Sequence, residues 1–89
     1  LYETDPTCLY VNFGFWGSVA STAPEGTVNR RIETRVEQLQ GKKSLYSSAY
    51  YSEEEFDRLY NREAYQRLKD RYDPRGVLGT MYGKCVQRQ

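Results

Sequence analysis

Cys8-Leu9-Tyr10-Val11-Asn12-Phe13-Gly14-Phe15-Trp16 is the stretch on which the fold turns. It is aromatic and β-branched, which is the composition of a strand. Side chains alternate across a strand. Leu9, Val11, Phe13 and Phe15 then form one apolar row, and Tyr10, Asn12, Gly14 and Trp16 form a larger amphipathic one. The odd row is expected to meet the core and the even row to face water or a partner. Residues 44–51 read as a second strand, with Leu45, Ser47, Ala49 and Tyr51 on one side and Tyr46, Ser48 and Tyr50 on the other.

Outward from these strands the chain reads as loops and helices, after a lead-in over residues 1–7 that contains Pro6. Residues 17–26 are small and polar, a loop. Thr27 is expected to cap a helix whose apolar stripe is Val28, Ile32, Val36 and Leu39, with Arg30, Arg31, Glu33, Arg35 and Glu37 off the stripe. Gly41 supplies a left-handed stop. Ser52-Glu53-Glu54-Glu55 is a capping box, with Tyr51 and Phe56 as the hydrophobic staple around it. The helix it starts is expected to bury Phe56, Leu59 and Tyr60, to kink or break at Asn61, and to continue with Ala64, Tyr65, Leu68 and Tyr72 inward. Pro74 forbids continuation, so the end falls near Arg71 or Tyr72. Asp73-Pro74-Arg75-Gly76 is turn chemistry, and residues 77–86 can hold one short helix. The predicted class is α+β: a small split β-α-β-α unit, two strands with helices on one face. Two strands make a poor sheet alone, so the remaining strands are expected from upstream chain or from another copy.

At 89 residues the chain is one domain at most, 1–89, with 72–89 as its terminal turn and tail. Thirteen basic and twelve acidic residues give a net charge of +1, which suits neither disorder nor a non-specific nucleic-acid binder. No apolar run is long enough to span a bilayer. No secretory signal is visible, so a cytoplasmic location is expected. The absence of histidine excludes His-based triads and His metal sites within this chain. Cys8 and Cys85 cannot build a four-cysteine zinc site; free thiols are the favoured reading, and a disulfide between them is the alternative. A first residue Leu1 inside Leu-Tyr-Glu-Thr-Asp-Pro looks like a cut within a longer protein.

Several motifs compete for a chemical role. Gly14-Phe15-Trp16-Gly17 lacks dinucleotide spacing, and Gly41-Lys42-Lys43-Ser44 follows a helix where a phosphate loop would precede one. The capping box accounts for Glu53–Glu55. Glu33 and Glu37 interleave the Arg30, Arg31 and Arg35 cluster, as on a solvated helix face. The aromatic surface is harder to dismiss. Tyr10, Trp16, Tyr46 and Tyr50 are expected to share one sheet face, as rings with polar tips do in ligand pockets and interfaces. Packing against missing strands would explain the same residues. Asn12 sits among them, as a substrate or cofactor hydrogen-bonding group or as the partner of a backbone amide.

Four segments together resemble a known family. They are residues 9–17, 41–47, 50–56 and 65–76, the last reading Tyr65-Gln66-Arg67-Leu68-Lys69-Asp70-Arg71-Tyr72-Asp73-Pro74-Arg75-Gly76. In this order they are similar to the C-terminal end of FAD-linked oxidoreductases of the vanillyl-alcohol-oxidase type, among bacterial FAD-binding oxidases similar to delta(24)-sterol reductase. The resemblance covers residues 9–86. It implies an upstream domain of the same protein that binds FAD, and a cap, part of which is this chain, closing over the flavin and a small-molecule substrate. Tyr10, Asn12, Trp16, Tyr46 and Tyr50 would face substrate or flavin, with no general base assigned. The chain alone would show no turnover and, with its apolar face uncovered, would self-associate or be loosely folded. The alternative is a standalone α+β module binding a partner through the aromatic sheet face. Single-stranded RNA binding is opposed by the net charge and the lack of a basic groove.

Overall fold

Among residues 3–89, which the computed structural model describes, there are four helices and no strand: α1 Thr27–Gln38, α2 Glu53–Leu59, α3 Arg62–Tyr72 and α4 Met81–Cys85. The α+β expectation, with its two-stranded split unit and helices on one face, is therefore overturned. A strand persists only where its backbone groups meet a neighbour. Residues 11–20 make no hydrogen bond within the described chain, and both expected rows lie in solvent: Leu9, Val11, Phe13 and Phe15 as much as Tyr10 and Trp16. The second expected strand is a turn at 45–47 followed by extended chain. Its inward row is partly realised, since Ala49 and Tyr51 are buried and Leu45 packs against them, while Ser47 is exposed.

The helix signals are realised more closely. Ser52 Oγ accepts from the Glu55 amide at 3.2 Å, and Glu55 Oε2 accepts from the Ser52 amide at 2.9 Å, so the capping box is complete. The staple rings of Tyr51 and Phe56 stand 6.4 Å apart. Asn61 does break the helix: at φ 54 it is left-handed, and its side chain caps α3 by accepting from the Ala64 amide. α3 stops at Tyr72, and the Gly76 amide closes a turn on the Asp73 carbonyl. At the end of α1 the left-handed residue is Gln40, with φ 59, and not Gly41. The Gly41 amide reaches Val36 O and the Gln40 amide reaches Glu37 O, the two bonds of a Schellman motif. At the other end the cap position is Gly26, while Thr27 is the first helical residue and donates its hydroxyl to Pro24 O.

The core is small and aromatic. Phe56 and Tyr60 of α2 meet Tyr51, with Tyr82, Cys85 and Val86 from the C-terminal helix region and Leu45 and Leu59 around them. The Phe56 and Tyr60 rings lie 4.7 Å apart, and Tyr82 meets Phe56 edge-on at 5.4 Å. Two inward stripes are corrected. Along α1, Val28 and Val36 are half-buried as expected, but Ile32 and the C-cap residue Leu39 are exposed and Glu33 is buried instead. On α3, Leu68 and Tyr72 are exposed and no residue is buried. A helix turns its apolar stripe inward only where there is a surface to receive it, and this core ends before it reaches those side chains.

The radius of gyration is 14.9 Å, where a compact chain of this length has about 12 Å. Residues 6–24 contain no charged side chain, in a chain that is 28% charged. Among the described residues no helix is long and apolar enough to cross a membrane.

Candidate functional site

The best-ordered polar constellation joins α1, α2 and the chain between them. Glu33 is 1% exposed. A buried carboxylate is tolerated only when paired and hydrogen-bonded, and Glu33 is both. Its Oε1 accepts from Lys43 Nζ at 2.8 Å and from the Tyr50 amide at 3.1 Å, and its Oε2 accepts from Arg30 Nη1 at 3.0 Å. Arg30 Nη2 continues to Glu55 Oε1 at 2.8 Å, and the Arg30 guanidinium lies 5.5 Å from the Tyr51 ring centroid. Lys43 Nζ also donates to Ser48 O. Two cations thus alternate with two carboxylates, with the Ser52 cap at one end. Sequence reasoning placed Glu33 and Arg30 on a solvated face. Helical position alone could not reveal that residues 43–50 would lie over them. Nor do the arginines form an anion site: Arg30 is taken up by Glu33 and Glu55, and Arg35 donates to Gln38.

A second cluster surrounds Tyr50. Gly26 stands so close to it that a Cβ there would lie 2.5 Å from ring carbons. Gly26 also has φ 83, so two independent reasons require glycine at this position. On the outside, Arg88 Nη2 donates to Tyr50 Oη at 3.0 Å and to Glu25 Oε1 at 3.1 Å, and Tyr50 Oη donates to Glu25 at 3.2 Å. The Arg88 guanidinium holds the Glu25 carboxyl below its usual range, with the Tyr50 hydroxyl assisting.

The other expected site residues lie apart from these clusters. Tyr10 accepts from the Asp5 amide at 2.8 Å and is 59% exposed, Trp16 is 83% exposed, and Tyr46 is 70% exposed. Asn12 is exposed. No hydrogen bond or ring contact joins Tyr10, Asn12 or Trp16 to Tyr46 or Tyr50. The shared sheet face on which they were expected is not formed. Cys8 and Cys85 are free thiols, the first exposed and the second half-buried.

Two carboxylates make the helical body sensitive to acid. The Ser52 amide, with Arg30, holds the Glu55 carboxyl below its usual value. Lys69 does the same for Asp73, together with the Leu78 and Val77 amides. A carboxyl whose folded value is depressed contributes stability above its unfolded value and loses it as pH falls through the folded value. The midpoint of urea unfolding is therefore expected to be level from neutrality to about pH 5 and to fall below about pH 4. A midpoint that stays level into strong acid would contradict this. No protein-family model, no curated protein and no solved structure matches the chain.

Proposed function

We propose that this chain is the C-terminal, substrate-side segment of an FAD-dependent oxidoreductase of the vanillyl-alcohol-oxidase type. In this reading it shapes the pocket over a flavin held by another domain of the same polypeptide, and it is inactive alone. A cytoplasmic location belongs to the same proposal. One observation carries it: residues 9–20, within the part of the chain that bears the resemblance, stand free of the helical body with their large side chains uncovered. Phe15 is 87% exposed and Trp16 83%, in a stretch without charge. Water-facing surface of this kind marks a face built to be covered. Ile32 of α1 and Leu39 at its C-cap are exposed apolar side chains on the helical body as well.

The residues of this segment offer FAD no cradle of their own. No glycine-rich turn opens α2 or α3, the single glycine at the start of α1 is pressed against Tyr50, and α4, which follows Gly76 and Gly79, is only five residues long. Holding the flavin falls to the rest of the polypeptide, and no chemical step is derived through it. Tyr10, Asn12, Trp16, Tyr46 and Tyr50 are the side chains assigned here to the substrate or flavin side.

The test is to read the gene upstream of the Leu1 codon and purify the product of the whole reading frame. The expected product carries a flavin-binding domain and the two-banded visible spectrum of bound flavin. Trp16→Ala should then weaken flavin or substrate binding in that protein, while changing the unfolding free energy of the 89-residue chain by less than about 0.5 kcal/mol. A reading frame that encodes no flavin-binding domain would sink the proposal.

A further inference from the structure

Between α2, α3 and α4 lies a cleft unconnected with the aromatic segment. Phe56 and Tyr60 form its floor, Tyr65 and Tyr82 its walls, and Glu53 and Asp57 stand among its lining residues. The wall hydroxyls are already engaged, Tyr65 Oη by the Met81 amide at 3.0 Å and Tyr82 Oη with Tyr51 O at 3.3 Å. What the tyrosines offer the cleft is ring surface. The two carboxylates differ. Asp57 is ion-paired with Arg62, which also lines the cleft, so that pair is neutral. The Glu53 carboxylate has neither a hydrogen bond nor an ion pair, and from its exposed place in the first turn of α2 it is the one unpaired charge lining the cleft. Glu53 is not the capping-box carboxylate, which is Glu55, so the cap does not require it.

Aromatic walls beside an unpaired carboxylate attract a cation that carries some apolar surface, through the ring quadrupole and Coulomb attraction together. Size narrows the choice. The cavity is about 60 Å³, room for about two waters and well short of the roughly 150 Å³ cavity that takes a benzene ring. We propose that this cleft binds the primary ammonium group of a small alkylamine, with its first methylene carbons against the rings and its charge toward Glu53.

The experiment is a titration of the 89-residue chain with n-butylammonium chloride at low salt, following the ring resonances of Tyr65 and Tyr82 by NMR. Sodium chloride and n-butanol serve as controls for ionic strength and for apolar contact. Saturable shifts with butylammonium alone are expected, and Glu53→Gln should weaken them about two- to fivefold while leaving the helical circular dichroism unchanged. Equal shifts with butanol, shifts no larger than those from sodium chloride, or an affinity unaltered by E53Q would each overturn the assignment.

Discussion

Glu33→Ala is expected to cost about 3 kcal/mol of folding stability, the loss that follows when one partner of a buried ion pair is removed and the others stay behind. The carboxylate is the one acceptor shared by Lys43 Nζ, the Tyr50 amide and Arg30 Nη1, so its removal takes a bond from each of three groups. Lys43 keeps Ser48 O and Arg30 keeps Glu55, but two half-buried cations lose the charge between them and the Tyr50 amide loses its acceptor. A chain of 89 residues, at roughly 0.05–0.15 kcal/mol per residue, holds only about 4–13 kcal/mol in all. The loss is therefore a large fraction of the whole. Glu33→Gln keeps an acceptor for the Tyr50 amide and gives up the charge, so its effect should be smaller. Urea unfolding followed by circular dichroism measures both. A loss below about 0.5 kcal/mol for E33A, the range of an ordinary surface substitution, would mean that water reaches this carboxylate freely.

The elements legible in the sequence were those whose causes are local. The capping box at Ser52, the staple from Tyr51 to Phe56, the break at Asn61 and the stop before Pro74 are each written in a few adjacent residues, and each is found. The strands were not legible, because pairing depends on a neighbour that may lie anywhere in a chain. Residues 8–16 have the right composition and find no neighbour among the described residues. The inner face of α1 failed for a related reason. Spacing picks out the stripe of Val28, Ile32, Val36 and Leu39, of which Val28 and Val36 are half-buried and Ile32 and Leu39 exposed, and the cross-chain charges of Lys43 and Glu55 take hold of Arg30 and Glu33. Of the expected site residues, only Tyr50 lies within a built constellation, and its partners Gly26 and Arg88 carry no signal at sequence level.

Tyr60→Ala should be at least as damaging as Glu33→Ala, with an expected loss of about 3–5 kcal/mol, the cost of emptying a buried aromatic site. Tyr60 is 2% exposed and lies 4.7 Å from the Phe56 ring and 5.9 Å from the Tyr51 ring, so its removal opens the centre of the only aromatic core among the described residues. Its hydroxyl adds a directional role by donating to Lys43 O at 2.7 Å. Lys43 is the residue whose ammonium holds Glu33, so the aromatic core and the charge network meet on one backbone unit. Tyr60→Phe keeps the ring, removes what the hydroxyl bonds, the Lys43 carbonyl included, and should cost about 1 kcal/mol or more. The informative measurement is the double-mutant cycle of Tyr60→Phe with Glu33→Gln. If Tyr60 places the Lys43 backbone so that its ammonium reaches Glu33, the two losses will depart from additivity by about 0.5 kcal/mol or more. Additive losses would show that α1 is held by its charges independently of the core. α1 would then be joined to the rest by its ion pairs, Glu33 with Lys43, Arg30 with Glu55 and Glu37 with Arg58, and would be the part able to loosen first when a partner covers Ile32 and Leu39.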